Sequence, residues 1–205
     1  MDSETERVFA ELKKHRLLLR TDANLPNVCA LVAGETVRGS WWVHPRSHAI
    51  FHVVSELADH PDVLMTKLVS GKVTYVHRAL WPEVIAIGCA KESWQTAPLS
   101  EDARKLLAAV EREPVLPDGG SNKAASGLET KLLVYSEQFH TESGAHLRRL
   151  ESWAHWSGRT GFGGTAVSVA EARRKLEEVL AALNEKYRGV GRLPWQAGRA
   201  ASKGR

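Results

Sequence analysis

Apolar residues recur three or four positions apart along much of this chain, which is typical of amphipathic helices packed on a core. The pattern predicts an α+β protein that is mostly helical. Two capping boxes, Ser3 with Glu6 and Ser168 with Glu171, mark the starts of the first and last helices. The predicted helices cover residues 4–19, 26–31, 45–59, 82–87, 100–113, 121–130, 145–156 and 169–187.

The helix predicted at 45–59 has the clearest one-sided pattern. At about 100° per residue its apolar side chains share one face, and they are Ile50, Val53, Val54 and Leu57. His60 and Pro61 end it, because the residue before a proline disfavours helical geometry.

Two β-rich runs, 63–69 and 72–77, follow this helix and are joined by Ser70 and Gly71. A two-residue loop with glycine predicts a tight hairpin in which Val69 pairs with Lys72 and Lys67 with Thr74. In that register Lys67 and Lys72 share one face with Arg78 at its base. Mostly apolar residues occupy the opposite face, namely Leu64, Thr66, Leu68, Val73, Tyr75 and His77.

A helix followed by a hairpin is the winged-helix order. We therefore expect a winged-helix domain over 1–113 and a second, reduced winged-helix-like unit over 114–157, separated by the turn-rich PVLPDGGS. A glycine-rich linker and the C-terminal amphipathic helix make up 158–187. Residues 188–205 are predicted to be a basic disordered tail.

Charge changes this picture in one respect. Residues 188–205 hold five basic and no acidic side chains, so removing them from a chain of net charge +4 leaves −1 on residues 1–187. The tail therefore contacts phosphates nonspecifically, or it only keeps the chain soluble.

Winged-helix modules often bind DNA, so the leading hypothesis is DNA binding through the phosphate backbone. The third helix exposes serines and histidines rather than the Arg, Asn and Gln that read base edges, which argues against sequence-specific recognition. Lysines on an edge hairpin also prevent aggregation, and this alternative stays open. The predicted nucleic-acid-binding residues are Arg46, His48, His52, Lys67, Lys72 and Arg78.

Two other patterns bear on chemistry. His44, His48 and His52 are spaced by four, but no Glu lies inside the pair in HSHAIFH, so solvated histidines are preferred to a metal site. Gly161, Gly163 and Gly164 lack the strand and lysine of a phosphate loop. The sequence thus predicts no catalytic residue, no metal and no cofactor.

The two cysteines, Cys29 and Cys89, fit a reducing compartment. No apolar run approaches the roughly 20 residues that span a bilayer, and the N-terminus is not a secretory signal. We expect a cytoplasmic protein without a membrane segment.

Three stretches carry a resemblance: Arg38–Trp42 with His44 and Pro45, KLVSGKVTYVHRALWP from Lys67 to Pro82, and HTESGAHLRRLESW from His140 to Trp153. Together they resemble small bacterial proteins that are related to the AlkZ/YcaQ winged-helix DNA glycosylases, over roughly residues 5–157. The resemblance implies a winged-helix architecture and a role near DNA repair. The Gln-x-Gln or Gln-x-Asp motif of the glycosylases does not occur, so no catalytic residue is carried over.

The sequence is also compatible with two further functions. One is a glycosylase-like enzyme, which would need a polar pocket near Trp41 and Trp42. The other is a protein-interaction module, in which the helix at 169–187 either packs on the body of the chain or forms a homodimer.

Overall fold

A computed structural model describes residues 2–117, 121–140, 146–163 and 167–196. The fold is α+β and mostly helical, as predicted. The chain divides into two compact units, the first formed by 1–81 with 174–205 and the second by 82–173. The boundary expected near residue 113 lies inside the second unit.

The first unit contains three helices, a three-stranded sheet and most of the last helix. Its elements are α1 (Ser3–His15), β1 (Leu17–Leu19), α2 (Val28–Ala33), α3 (Ser47–Ala58), β2 (Val63–Val69), β3 (Lys72–His77) and α9 (Val169–Tyr187) from residue 174 onward. The sheet order is β1-β3-β2, and both pairings are antiparallel.

The first helix is shorter than predicted. Asp2, rather than Ser3, caps α1, and its carboxylate accepts the N–H of Thr5 at 2.7 Å. Arg16 adopts the left-handed conformation (φ 64°) and ends the helix. Leu17, Leu18 and Leu19 then form β1, so the leucines assigned to a helix belong to a strand beside β3.

The apolar face of α3 is as predicted, since Ile50, Val53, Val54 and Leu57 are all buried. They pack with residues of α1, α2 and the sheet into one core cluster, whose members include Val8, Leu12, Val28, Val32 and Tyr75.

The C-terminal part of α9 and the residues after it belong to the same unit. Leu176, Leu180 and Leu183 are buried, and the Tyr187 hydroxyl lies 2.9 Å from Nε2 of His15 in α1. The apolar face of this helix therefore packs within its own chain, which is the first of the two roles left open by the sequence.

The second unit contains the remaining helices and one hairpin. Its elements are α4 (Trp81–Ala90, in this unit from Pro82), α5 (Ser93–Thr96), α6 (Glu101–Arg112), α7 (Asn122–Thr130), β4 (Tyr135–His140), β5 (His146–Glu151) and α8 (Trp153–Thr160). The helix predicted at 145–156 is wrong in its first half, because His146–Glu151 pairs antiparallel with β4.

A short third segment extends this hairpin. Val115 forms an antiparallel bridge to Leu150 of β5, with N–H···O distances of 2.9 and 2.8 Å. The strand order is thus the segment at 115, then β5, then β4. This repeats the order β1-β3-β2 of the first unit, because in both units a segment from earlier in the chain pairs with the last strand. None of the described helices is long and apolar enough to cross a bilayer.

Candidate nucleic-acid interface

The hairpin β2–β3 is present, but its register differs from the prediction. Val69 pairs with Lys72 as expected, whereas Lys67 pairs with Val73 and Thr66 with Thr74, because the strand bulges at Leu68. Side chains alternate along β3, so Lys72 shares a face with Thr74 while Lys67 shares a face with Val73. The prediction that the two lysines lie on one face is wrong.

Thr74 explains the bulge. Its hydroxyl is buried, accepts the N–H of Val69 at 3.1 Å and donates to the carbonyl of Lys72 at 3.0 Å. A buried backbone N–H that loses its ladder partner needs another acceptor. The Thr74 side chain supplies that acceptor, which allows the extra residue in β2.

Lys72 is paired with an acid. Its ammonium lies 2.7 Å from Oδ2 of Asp22, whose Oδ1 accepts the N–H groups of Asn24 and Leu25 at 2.9 Å each. Burial acts to raise the pKa of Asp22, but Lys72 and these two N–H groups outweigh it and hold the pKa below its usual value. Asp22 is therefore a carboxylate that fixes its loop and partly neutralises the hairpin tip.

A polar concavity of about 500 Å³ opens beside this ion pair, and its lining includes Thr21, Asp22, Asn24, Thr36, Arg38 and Lys72. Its lining residues 36–39 come just ahead of Trp41 in the sequence. A pocket near Trp41 is what the enzyme alternative requires. Asp22 is the one acid of the lining, and its low pKa and three hydrogen bonds do not suit it to proton transfer.

The two predicted arginines are also engaged in contacts within the protein. Arg78 lies 3.3 Å from Asp62 and 5.6 Å from the centre of the Trp81 ring. Arg46 contacts both oxygens of Glu4 at 2.9 Å and donates to the carbonyl of Val32 at 2.6 Å, which joins the start of α3 to α1 and α2. These contacts are structural, and a phosphate would have to compete with them.

The two predicted histidines of α3 differ in their surroundings. Both are exposed, but His52 lies 3.3 Å from Asp2 and 3.9 Å from Glu56, whereas His48 stands one turn earlier without an ion pair to any described residue. The outer face of α3 is thus not strongly basic. Exposed apolar side chains lie on α3 and just ahead of it: Phe51 of α3 is 46% exposed, and Trp42 and Val43, in the turn 41–43, are 60% and 83% exposed.

Sequence reasoning missed the residues that the structure brings to the hairpin tip. The N–H of Ser70 donates to the carbonyl of Arg192 at 2.7 Å, and the N–H of Arg192 donates to the Ser70 hydroxyl at 3.2 Å. Residues 188–196 are therefore docked on the hairpin, so the prediction of a disordered tail is wrong for them, and 197–205 lie outside the described residues. Arg188 and Arg192 are exposed and form no ion pair with a described residue.

Glycines make this docking possible. A Cβ on Gly189 would lie 2.4 Å from Leu25, and one on Gly191 would lie 2.8 Å from Leu25 and 3.0 Å from Val69. The Asn184 side chain holds the turn through two hydrogen bonds to the backbone of Gly191. The spacing Gly-x-Gly directly after the last helix was the available sequence signal.

The charge of the chain is concentrated in the first unit. Residues 1–81 with 174–205 carry 18 basic and 12 acidic side chains, a net charge of +6, whereas 82–173 carry 10 and 12, a net charge of −2. The hairpin and its docked segment thus belong to the cationic unit, which suits an anionic partner.

Gln95, which lies in the second unit, has a structural role. It is fully buried, accepts the N–H of Glu92 at 2.8 Å and donates to the carbonyls of Ile87 and Lys131 at 3.2 and 2.9 Å. All of its amide atoms are engaged within the fold, so its side chain is not available to a substrate.

Cys29, in the first unit, is not activated as a nucleophile. Burial raises the pKa of its thiol to about 11, which suppresses the nucleophilic thiolate form.

Comparisons with known proteins do not assign the chain to a family. No family model, no curated protein and no solved structure matches it.

Proposed function

We propose that the chain is a winged-helix DNA-binding protein that contacts the phosphate backbone through the hairpin tip and the segment 188–196. The observation that carries this proposal is the pairing of Ser70 with Arg192, which holds the segment 188–196 at the hairpin tip, with two arginines that form no ion pair to a described residue. The resemblance to AlkZ-related proteins and a role near DNA repair belong to the same proposal.

The order of elements supports the winged-helix assignment. The first unit runs helix, strand, helix, helix, strand, strand with sheet order β1-β3-β2, which is the order of a winged helix whose wing is β2–β3. The second unit repeats the last part of that order, with Val115 beside β5 and β5 beside β4. We infer a second, reduced winged helix there.

Charge supports phosphate contact at the wing more than at α3. Arg188 and Arg192 are exposed and unpaired among the described residues, whereas Arg46 and Arg78 are engaged with acids. Lys72 would have to exchange Asp22 for a phosphate, which costs more than the about 0–1 kcal/mol of a fully exposed ion pair, because the Asp22 side chain is only 15% exposed. Such binding is nonspecific and depends strongly on salt.

Duplex binding by the full chain, measured by fluorescence anisotropy over a range of salt concentrations, tests this proposal. Arg188→Gln with Arg192→Gln should lower the slope of log affinity against log salt by about two, since each phosphate contact contributes about 0.9. The matched control, Arg104→Gln with Lys105→Gln, removes the same charge from exposed positions of α6.

Two outcomes would refute the proposal. One is a wild-type chain without salt-dependent duplex binding. The other is an equal loss of slope in both double variants, which would indicate that only total charge matters.

A protein-interaction module remains the second candidate, and the exposed Trp42, Val43 and Phe51 favour it. Surfaces that carry clustered apolar side chains often bind proteins. Light scattering of the wild type against Trp42→Ser with Phe51→Ser tests a homodimer formed there. Deleting 168–205 would not test it cleanly, since 174–196 complete the first unit.

A further inference from the structure

Three potential metal ligands, from the N-cap of α1 and from α3, lie together on the surface of the first unit. They are the carboxylates of Asp2 and Glu56 and the imidazole of His52, and one ligand atom from each lies within 4.8 Å of the others. Nε2 of His52 is 3.3 Å from Oδ2 of Asp2 and 3.9 Å from Oε2 of Glu56. None of them lies in the hairpin tip or in the segment docked on it.

Local structure holds each of the three side chains in place. His52 and Glu56 are one helical turn apart on α3, so they project from the same face. Oδ1 of Asp2 accepts the N–H of Thr5 as the helix cap, which leaves Oδ2 directed toward His52. The N–H of Asp2 donates to Oε2 of Glu56 at 3.3 Å, which brings the second carboxylate to the group.

The spacing matches that of ligands sharing one ion. Bonds of about 2.0–2.2 Å in a tetrahedral zinc site place neighbouring ligand atoms roughly 3.3–3.6 Å apart. A charged N–H···O hydrogen bond is shorter, about 2.7–2.9 Å. The separation of 3.3 Å between His52 and Asp2 falls in the first range, and 3.9 Å for Glu56 needs only a small side-chain movement.

Thr5 supplies an independent observation. It is fully buried, and its hydroxyl has no hydrogen-bond partner of standard geometry among the described residues although it lies against both carboxylates. A buried polar atom without a partner at this position adds to the three ligand atoms of the group.

We propose that Asp2, His52 and Glu56 bind one divalent transition-metal ion of the Zn²⁺ type, with water completing the coordination. One imidazole nitrogen with two carboxylate oxygens suits Zn²⁺ or Co²⁺ better than Mg²⁺ or Ca²⁺, which take oxygen ligands. Such an ion joins the start of α1 to the middle of α3. The proposal does not depend on DNA binding.

Zn²⁺ binding to the tag-free full chain, measured by titration calorimetry near pH 7.5, tests this site. We expect one ion per chain and at least about tenfold weaker binding in His52→Ala, since loss of a mere supporting contact costs about 10–100-fold in known sites. Glu56→Gln keeps the size of the side chain and should weaken binding to a similar degree.

His48→Ala is the matched control, because His48 is exposed on the same helix and lies four residues before His52. It should leave Zn²⁺ affinity unchanged. Equal losses in His48→Ala and His52→Ala would assign the ion to the histidine pair and overturn the proposal, as would a wild-type chain that takes up no Zn²⁺. A rise in the thermal midpoint with Zn²⁺, lost in Glu56→Gln, gives a second readout.

Discussion

The phenolic oxygen of Tyr187 lies 2.9 Å from Nε2 of His15, which joins the end of the last long helix to the end of the first. Glu11 approaches the same nitrogen at 3.0 Å. Burial lowers the pKa of His15 despite the opposing effect of Glu11, and Lys186 and Lys14 lower it further. The fold therefore favours the neutral imidazole.

This contact predicts a pH dependence of stability. An unfolded histidine has a pKa near 6.5, so below that pH the unfolded chain binds more protons than the folded chain. The free energy of unfolding should then fall as the pH decreases from about 6.5 through the lower pKa of folded His15. His77, whose pKa burial also lowers, adds to the same trend.

Urea unfolding at pH 7.5 and 5.5 measures the effect. Tyr187→Phe should destabilise the chain by about 1 kcal/mol at pH 7.5, the value of one hydrogen bond. His15→Gln should reduce the difference between the two pH values, whereas His48→Gln should not. A pH difference that is unchanged in His15→Gln would contradict this account.

The opposite orientation of Lys67 and Lys72 predicts unequal effects on DNA binding. Phosphates approaching one face of the hairpin can reach only one of the two side chains. Lys67→Gln and Lys72→Gln, measured singly, should therefore differ by about one in the slope of log affinity against log salt. Equal effects would place both lysines on one contact surface, against the register seen here.

The close approach of Gly191 to Leu25 predicts a steric effect. Gly191→Ala places a methyl group 2.8 Å from a leucine that is 2% exposed, so neither side can move freely. We expect a loss of about 1–3 kcal/mol, as for other overpacked sites. In a double-mutant cycle Leu25→Ala should relieve part of this loss, and strictly additive effects would show that the two residues do not clash.

The buried hydrogen bonds of Gln95 predict that replacing it lowers the stability of the fold and leaves DNA affinity unchanged. Gln95→Ala leaves one buried N–H and two carbonyls without partners, and we expect destabilisation of about 2–4 kcal/mol. Thermal unfolding followed by circular dichroism measures this. DNA affinity per folded molecule should stay at the wild-type value, and a stable variant with altered affinity would speak against a purely structural role.

Periodicity predicted some elements well. The buried face of α3 and the position of the hairpin followed from local sequence, because apolar spacing and the Ser70-Gly71 turn act over a few residues. The bulge at Leu68 could not be predicted this way. It depends on a hydrogen bond from Val69 to the Thr74 side chain, across the strand pair.

Two errors came from helical patterns that tertiary pairing overrode. Leu17 continues the apolar spacing of α1, but the left-handed Arg16 ends the helix and the strand pairs with β3. HLRRLE fits a helix or a strand, and its partner β4 decides for the strand. Short segments of this kind take their structure from the neighbour they pair with.

The candidate site was harder to predict than the fold. Arg188 and Arg192 lie in a segment whose composition resembles a disordered tail, and their position depends on Leu25 and Ser70, far away in sequence. Ion pairs such as Arg46 with Glu4 also join distant residues, and they decide which cations are left for a ligand.

The division of the first unit between residues 1–81 and 174–205 has a consequence for synthesis. When the ribosome has completed β3, the leucines of α9 and Leu193 have not yet been synthesised. In the folded protein these leucines are buried. At about 5–20 residues per second the missing segments arrive on the order of ten seconds later. The second unit, continuous in sequence, can fold while apolar surface of the first is still uncovered, and in this interval the nascent chain is most prone to aggregation.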